Sequence, residues 1–297
     1  MKSRSLVFGS IIVSFFLIFA GCGAQPGQES SSIQIKGSDT MVNLGQSWAE
    51  EFMNLHPDAS IAVTGGGSGT GIASIINGTC DIAQCSRAMK PEELEAAKSK
   101  GRAVREVEVA IDALAVIVHP SNPVSQLTLE QLSGIFTGTI THWKEVGGED
   151  RPILVLSRER NSGTHVYFLE HVLRHGNDKG PEEYSPKALM MPSSQAIVEE
   201  VSQSAAAIGY VGMGYVSARE KKIAVGTAAE GPFVLPSVDT ALDKTYPIAR
   251  ALLMYVPENH SAVVDTFLNF VLSDQGQEIV QQMDFVPLYQ APLRKKA

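Results

Sequence analysis

The stretch Thr64-Gly65-Gly66-Gly67-Ser68-Gly69-Thr70-Gly71 carries five glycines in eight residues. It follows the apolar run 61–63 and precedes Ile72, Ile75 and Ile76 at helical spacing, which is typical of a strand, a tight loop and a helix start. Glycines let the loop backbone take positive φ and approach a bound group closely. The free N–H groups and the dipole of the following helix favour a small anion there. The alternative is a glycine-rich turn that only connects two elements.

A second copy of the tripeptide Ser68-Gly69-Thr70 stands at Ser162-Gly163-Thr164. It also follows an apolar run, at 153–156, and precedes a helical pattern of apolar residues at 168–173. The repetition favours anion-binding junctions over connecting turns. A third strand-to-helix junction, Gly37-Ser38-Asp39-Thr40, also carries hydroxyl groups. They either cap the helix or contact a ligand.

Composition limits the classes of function. The chain has 297 residues, enough for two domains of ordinary size, and its 44% apolar and 19% charged residues indicate a globular protein. The net charge of -8 argues against a nucleic-acid surface and against general attraction of anions. An anion site in this chain must therefore act through local groups.

The N-terminus is typical of an exported protein. Lys2 and Arg4 precede an apolar run at 6–20, which is shorter than the ~20 residues that a membrane-spanning helix needs. The run closes with Phe19-Ala20-Gly21-Cys22, similar to a bacterial lipoprotein signal in which the cysteine becomes lipidated. A plain signal peptide is the alternative.

Several catalytic and metal motifs are incomplete. Cys80 and Cys85 have poor disulfide spacing on one strand and too few companions for a metal, so we interpret them as buried thiols. His171 and His175 face one side of a predicted helix, but Val172 stands where a metalloprotease has glutamate, which favours surface histidines. We find no nucleophile with an evident base, and we expect neither enzymatic activity nor a cofactor or metal.

The order of elements predicts an α/β fold. Strand and helix patterns alternate, which favours largely parallel sheets with ligands beyond the carboxyl ends of the strands. The apolar run 107–118 is long for one strand of a small sheet and suits a segment that crosses between two parts of the protein. The run 251–256 is a candidate for the return crossing, and 127–136 reads as an amphipathic helix.

In these stretches the chain resembles the phosphate-binding proteins of bacterial phosphate ABC transporters, the PstS-like group. The resemblance covers nearly everything after Ser32, and the combination of motifs is specific although each motif alone is weak. The motifs are Gly37-Ser38-Asp39-Thr40-Met41, the glycine loop 65–71, Asp81-Ile82-Ala83 with Ser86-Arg87, Leu129-Glu130-Gln131-Leu132 with Ile135-Phe136 and Gly138, Arg158-Glu159-Arg160-Asn161-Ser162-Gly163-Thr164, and Ile208-Gly209-Tyr210-Val211.

The resemblance implies the two-lobed, type II periplasmic-binding-protein fold. This is an α/β fold with two mixed sheets flanked by helices, two hinge strands and a ligand cleft between the lobes. The implied division is a lipoprotein signal peptide at 1–22 that ends at the lipidated Cys22, a flexible tether at 23–32, lobe 1 at 33–112 and 251–290, and lobe 2 at 113–250.

The resemblance also implies that inorganic phosphate is buried in the cleft without any reaction. Hydroxyl and backbone N–H groups suit its oxygens, and a guanidinium can bind two of them at once. Arg158 is the candidate for that role, with a surface salt bridge as the alternative. Asp39 is the candidate acceptor for the proton of hydrogen phosphate, with a helix cap as the alternative. The ligand-binding residues carried over by position are Ser38, Thr40, Ser68, Ser86, Arg87, Arg158, Ser162, Gly163 and Thr164.

The implied partners are the ABC permease subunits with their ATPase. The protein is expected to be a lipid-anchored monomer on the outer face of the cytoplasmic membrane or in the periplasm, without nucleic acid. Three alternatives stay open at the level of the sequence. They are a receptor for another tetrahedral oxyanion such as sulfate or molybdate, a secreted phosphatase, and a sensor or adhesion lipoprotein that has lost transport.

Overall fold

The computed structural model describes residues 32–289. The predicted export signal, Cys22 and all of the tether except Ser32 lie outside this range, and Ser32 is the first residue of a strand. The strands are β1 Ser32–Gly37, β2 Ser60–Thr64, β3 Ile82–Cys85, β4 Val104–Val118, β5 Gln126–Thr128, β6 Leu154–Arg158, β7 Leu189–Met191, β8 Ala207–Gly212, β9 Lys221–Lys222, β10 Ala224–Gly226 and β11 Ala249–Pro257. The helices are α1 Val42–Leu55, α2 Ser68–Asn77, α3 Pro91–Ser99, α4 Leu129–Thr137, α5 Gly163–Phe168, α6 Ser194–Gln203, α7 Val238–Leu242, α8 Ala262–Val271 and α9 Asp274–Gln282.

All of these strands except β5 and β10 form one mixed sheet, in the order β2-β1-β3-β11-β4-β8-β6-β7 with β9 paired to β4. The first half-sheet, β2, β1 and β3, is parallel, and β11 joins it antiparallel to β3. The second half-sheet, β8, β6 and β7, is also parallel within itself. The prediction of largely parallel sheets therefore describes each half-sheet, whereas β4 and β11 run antiparallel to their neighbours.

The long strand β4 connects the two half-sheets. Its first part pairs with β11, and its last part, from Leu114 to Val118, pairs with β8. The predicted crossing at 107–118 lies within β4, and the predicted return at 251–256 lies within β11. Both chain crossings are thus adjacent strands of one ladder.

Each half-sheet has its own hydrophobic core. The first core packs α1 and α8 on β1 through Ile33, Trp48, Phe52 and Phe267, and a smaller cluster around Ile75 covers the other face. The second core contains buried residues of β4, β6, β8 and the surrounding helices. Its buried members all lie within 113–248, except Val286. The chain therefore changes core near 110–113 on β4 and near 249–252 on β11.

Local chemistry sets the helix boundaries. The helix predicted at 127–136 begins later, at Leu129, because the Thr128 hydroxyl accepts from Gln131 N while Gln131 Oε1 accepts from Thr128 N. Leu127 instead pairs with Val225 in the small parallel ladder of β5 and β10. Within residues 32–289, the helices are all too short or too polar to cross a membrane.

The prediction of two buried thiols is confirmed. Cys80 and Cys85 are both buried, and neither forms a disulfide. Burial raises the pKa of Cys80 to about 12 and raises that of Cys85 still further. Both thiols are therefore protonated and unreactive at neutral pH.

Candidate functional site

Three serines meet at the carboxyl edge of the first half-sheet. Because β1, β2 and β3 are parallel, the junctions that follow them share one edge. Ser38 Oγ donates to Ser86 Oγ at 2.9 Å, and Ser68 Oγ lies 3.3 Å from Ser86 Oγ. Ser86 N also donates to Ser68 Oγ at 3.0 Å. All three side chains are buried, so this serine cluster excludes bulk water.

The glycine loop has the conformation that its sequence predicts. Gly66 and Gly67 have φ of 110° and 89°, in the region that favours glycine, and α2 begins directly after them at Ser68. The strand, loop and helix predicted around 64–71 are confirmed. The loop brings Ser68 to the start of α2 and onto the serine cluster.

The second half-sheet supplies the facing junction. Ser162 caps α5 by accepting from Thr164 N at 3.2 Å and His165 N at 3.4 Å. A Cβ added at Gly163 would overlap Ser68 Oγ and lie 2.8 Å from Ser86 Oγ. The glycine therefore lets the two junctions come into direct contact.

Two threonines extend this contact. Thr40 Oγ1 and Thr164 Oγ1 lie 2.8 Å apart, and both residues are buried. Of the predicted site residues, the structure thus brings together Ser38, Thr40, Ser68, Ser86, Ser162, Gly163 and Thr164. We call this group of six hydroxyl residues, together with Gly163 between them, the hydroxyl cluster.

Arg158 and Asp39 form an ion pair beside the hydroxyl cluster. Arg158 Nη2 donates to Asp39 Oδ2 at 2.6 Å, and Gly66 N donates to Asp39 Oδ1 at 3.0 Å. Arg158 is only 1% exposed, which excludes a surface salt bridge. The Asp39 side chain does not cap the helix that follows it, which excludes the helix-cap alternative for this residue.

The donors of Arg158 are mostly used by the protein. Nε donates to Met191 O at 3.3 Å, Nη1 to Ser194 Oγ at 3.1 Å, and Nη2 also to Pro192 O at 3.0 Å. A guanidinium has five N–H donors, and these contacts together with Asp39 account for four. In this arrangement Arg158 orients Asp39 and has one donor left, rather than a free fork for two anion oxygens.

Arg87 is not brought into the hydroxyl cluster. Its Nη1 and Nη2 donate to the two carboxylate oxygens of Glu93, both at 2.8 Å. Glu93 also accepts from Lys90 N and closes the first turn of α3. Arg87 instead lines a crevice of about 740 Å³ together with Tyr167 and Arg250.

A second ion pair was not anticipated from the sequence. Asp112 on β4 and Arg250 on β11 are direct partners across the ladder, with Arg250 Nη2 2.9 Å from Asp112 Oδ2. Arg250 Nη2 also donates to Thr164 Oγ1 at 2.9 Å. The sequence signal was an acidic residue within the run 107–118 and an arginine directly before the run 251–256.

Asn161 connects the two junctions at the rim. Gly69 N donates to Asn161 O at 2.9 Å, and Asn161 Nδ2 donates to Gly66 O at 2.7 Å. These bonds lie on the exposed side of the hydroxyl cluster, where they join the glycine loop to the loop before α5.

A buried network of hydrogen bonds connects α5 to β6 and β8. Tyr210 OH lies 2.6 Å from Ser157 Oγ and 2.7 Å from Tyr184 OH, and Ser157 Oγ lies 3.2 Å from His165 Nδ1. Burial lowers the pKa of His165 to about 4. The imidazole is therefore neutral at physiological pH and adds no charge to the site.

His171 and His175, which stand four residues apart in the chain, have separate partners. His171 Nε2 lies 2.8 Å from Pro247 O, and the exposed His175 lies 3.2 Å from Glu130. The part of the chain from 32 to 289 contains no group of three or more potential metal ligands.

Comparison with known proteins reveals relatives along most of the chain. The PBP superfamily domain matches residues 23–275. The phosphate-binding protein PstS of Pseudomonas aeruginosa is 35% identical over 276 residues, which cover 87% of this chain and 84% of that protein. PstS of Bacillus subtilis is 30% identical over 302 residues, which cover 97% of this chain and 95% of that protein.

A solved structure shows the same similarity in three dimensions. It is a phosphate ABC transporter substrate-binding protein from Clostridium perfringens with bound phosphate. The two chains are 35% identical and superpose with a TM-score of 0.78, over 87% of this chain and 100% of the other.

Proposed function

We propose a transport function for this chain, which belongs to the PBP superfamily and, within it, to the PstS family of phosphate-binding proteins. The protein captures inorganic phosphate outside the cytoplasm and delivers it to an ABC permease with its ATPase. The observation that carries this proposal is the buried hydroxyl cluster, in which donors from the two half-sheets are in direct contact.

The proposed domains are two lobes, lobe 1 at 33–112 and 251–290 and lobe 2 at 113–250. The separate hydrophobic cores support this division, because the chain changes core close to both proposed boundaries. The chain then passes between the lobes once along β4 and once along β11, and these two strands pair with each other in one antiparallel ladder. Bending of this pair opens and closes the cleft.

The hydroxyl cluster is suited to a dehydrated oxyanion. Hydroxyls that bond to one another can turn their hydrogens toward an anion, and a phosphate has enough lone pairs to accept all of them. The proposed direct ligands are Ser38, Thr40, Ser68, Ser86, Ser162, Gly163 and Thr164. Because these donors come from both lobes, the bound anion favours the closed arrangement that a permease recognises.

Asp39 is the proposed proton acceptor for hydrogen phosphate. A carboxylate offers about four lone-pair positions, and Arg158 and Gly66 N occupy two of them. The remaining positions can accept the proton of a phosphate oxygen. A carboxylate acceptor favours a protonated phosphate over sulfate, which has no proton to donate near neutral pH.

We propose binding without catalysis. A phosphatase needs an activated nucleophile or a metal, and the cluster serines bond to each other rather than to a base. His165 is directed to Ser157, away from these serines. Arg87 is placed on the wall of the crevice and is not assigned to the direct ligands.

The proposed location is extracytoplasmic. Lipidation of Cys22 would anchor the protein, as a monomer, at the outer face of the cytoplasmic membrane or in the periplasm. Mass spectrometry of the membrane-extracted protein tests this anchor, since a Cys22→Ser variant should lose the lipid mass and leave the membrane fraction.

Calorimetry tests the proposed ligand. Phosphate titrated into the purified protein near neutral pH should bind one to one, and a large excess of sulfate should leave the affinity unchanged. Tight sulfate binding that competes with phosphate would instead favour the receptor for another tetrahedral oxyanion. Absence of phosphate binding would refute the proposal.

A further inference from the structure

The two strands that connect the lobes carry a buried ion pair at matching positions. Asp112 and Arg250 are register partners in the β4–β11 ladder, and their side chains are 0% and 3% exposed. Arg250 Nη2 and Nε donate to Asp112 Oδ2 at 2.9 Å and 3.3 Å. Asp112 Oδ1 also accepts from Met213 N at 3.2 Å, so the carboxylate is fixed on both sides.

Arg250 extends from this pair into the hydroxyl cluster. Its Nη2 donates to Thr164 Oγ1 at 2.9 Å and, over a longer distance of 3.4 Å, to Thr40 Oγ1. One guanidinium nitrogen therefore contacts a residue from each lobe and also the hinge carboxylate.

The direction of these hydrogen bonds is fixed by the chemistry. A guanidinium can only donate, so the threonine oxygens must act as acceptors toward Arg250. A hydroxyl that turns its oxygen to a cation turns its hydrogen away from it, toward a group that accepts. Arg250 thus prepares Thr164 and Thr40 as donors to an anion.

The ion pair is difficult to explain by stability alone. Burying two charges costs about as much as their attraction returns, and an apolar pair of similar volume is often equally stable. Arg250 Nη1 is also buried and has no hydrogen-bond partner among residues 32–289. The guanidinium therefore has more donor capacity than its structural contacts use.

We propose that Arg250, held by Asp112, is a positioning residue of the phosphate site. It orients the hydroxyls of Thr164 and Thr40 and links the geometry of the two hinge strands to the contact between the lobes. This inference rests on the proposed function, and it assigns to the hinge a role in affinity that neither the two Ser-Gly-Thr tripeptides nor Arg158 supplies.

The test compares three variants of the full chain by calorimetry and thermal unfolding. Arg250→Gln and Asp112→Asn each leave one buried charge without its partner, so both should lower the melting temperature measured without phosphate. The double variant Asp112→Asn/Arg250→Gln contains neither charge and should recover part of this loss. Its phosphate affinity should remain roughly tenfold or more below that of the wild type, because Arg250 no longer orients the hydroxyls of Thr164 and Thr40.

Two further variants complete the design. Arg250→Lys retains a cationic donor and should recover part of the affinity that Arg250→Gln loses. Tyr246→Phe is the matched control, since it removes a buried hydrogen bond to Leu114 O on the same strand as Asp112 without touching either threonine. It should lower the melting temperature and leave the phosphate affinity unchanged.

The outcomes separate this inference from the proposed function. If affinity returns together with stability in the double variant, or if Arg250→Gln binds phosphate like the wild type, the ion pair is structural only and the inference is wrong. If the wild type does not bind phosphate, the proposed function fails. In that case the same variants are measured with sulfate or molybdate, whichever binds the wild type, and their affinities decide the role of Arg250. If none of the three anions binds the wild type, both the proposed function and the inference are refuted.

Discussion

Substitution of Gly163 by alanine should hold the lobes apart without unfolding either one. The added Cβ would overlap Ser68 Oγ and lie 2.8 Å from Ser86 Oγ. Both serines are fully buried, and neither can move without breaking the bonds of the serine cluster. Gly163 is the first residue of α5 and its φ is not in the left-handed region, so alanine adds no backbone strain.

The magnitude follows from the cost of overpacking. An added methyl group in a well-packed contact costs about 1–3 kcal/mol. The clash exists only when Gly163 meets the serines of the other lobe, so this cost opposes closure rather than folding. The phosphate dissociation constant should rise roughly 5- to 150-fold.

Calorimetry with phosphate measures this change, and a second glycine provides the control. A Cβ at Gly209 would lie 2.5 Å from Ile197 Cγ2, a contact within the second core. Gly209→Ala should therefore lower the melting temperature and leave the phosphate affinity intact. The reasoning is refuted if Gly163→Ala binds phosphate like the wild type, or if it loses as much thermal stability as Gly209→Ala.

Three other substitutions test separate parts of the site. Arg158→Met leaves the Asp39 carboxylate without its charge partner and should weaken phosphate binding by about 2–5 kcal/mol in calorimetry; an unchanged affinity would remove Arg158 from the site. Asp39→Asn should weaken phosphate binding more than sulfate binding, and an equal loss for both anions would exclude Asp39 as the proton acceptor. The pKa of His165 is lowered to about 4 from 6.5, so the unfolded chain binds its proton at higher pH and stability falls as the pH drops from about 6.5 to 4. His165→Gln should flatten this pH dependence of the melting temperature, and an identical dependence in both proteins would show that His165 does not cause it.

The strand-to-helix junctions could be predicted because their signals are local. Glycines, a capping hydroxyl and a short apolar run can each be recognised within a few residues of sequence. Gly67 and Ser162 then take the positive φ and the capping role that these signals predict. The crossing segment at 107–118 was also evident, from its length. The direction of β11 was not, because a buried strand reads as an apolar run whether its neighbours are parallel or antiparallel.

The hinge ion pair could not be predicted because it depends on strand register. Asp112 and Arg250 are 138 positions apart, and only the β4–β11 ladder makes them neighbours. Each residue alone appears as an isolated charge in or beside an apolar run. A search for buried charges on both crossing strands would have suggested the pair.

Arg87 illustrates a different limit. The motif locates the residue at the end of β3, but the direction of its side chain is decided by Glu93, which α3 holds through its own first turn. Position in a motif therefore does not determine which way a long side chain points. The same applies to Arg158, whose contacts with Met191 O and Pro192 O depend on the neighbouring strand β7.

The most direct test of shared binding is the phosphate dissociation constant of two variants, one from each lobe. Ser68→Ala and Thr164→Val each remove one hydroxyl donor, and each should raise the dissociation constant roughly tenfold or more while the protein stays folded. If only one of the two variants loses affinity, the anion is held by a single lobe and closure of two donor sets around phosphate is contradicted.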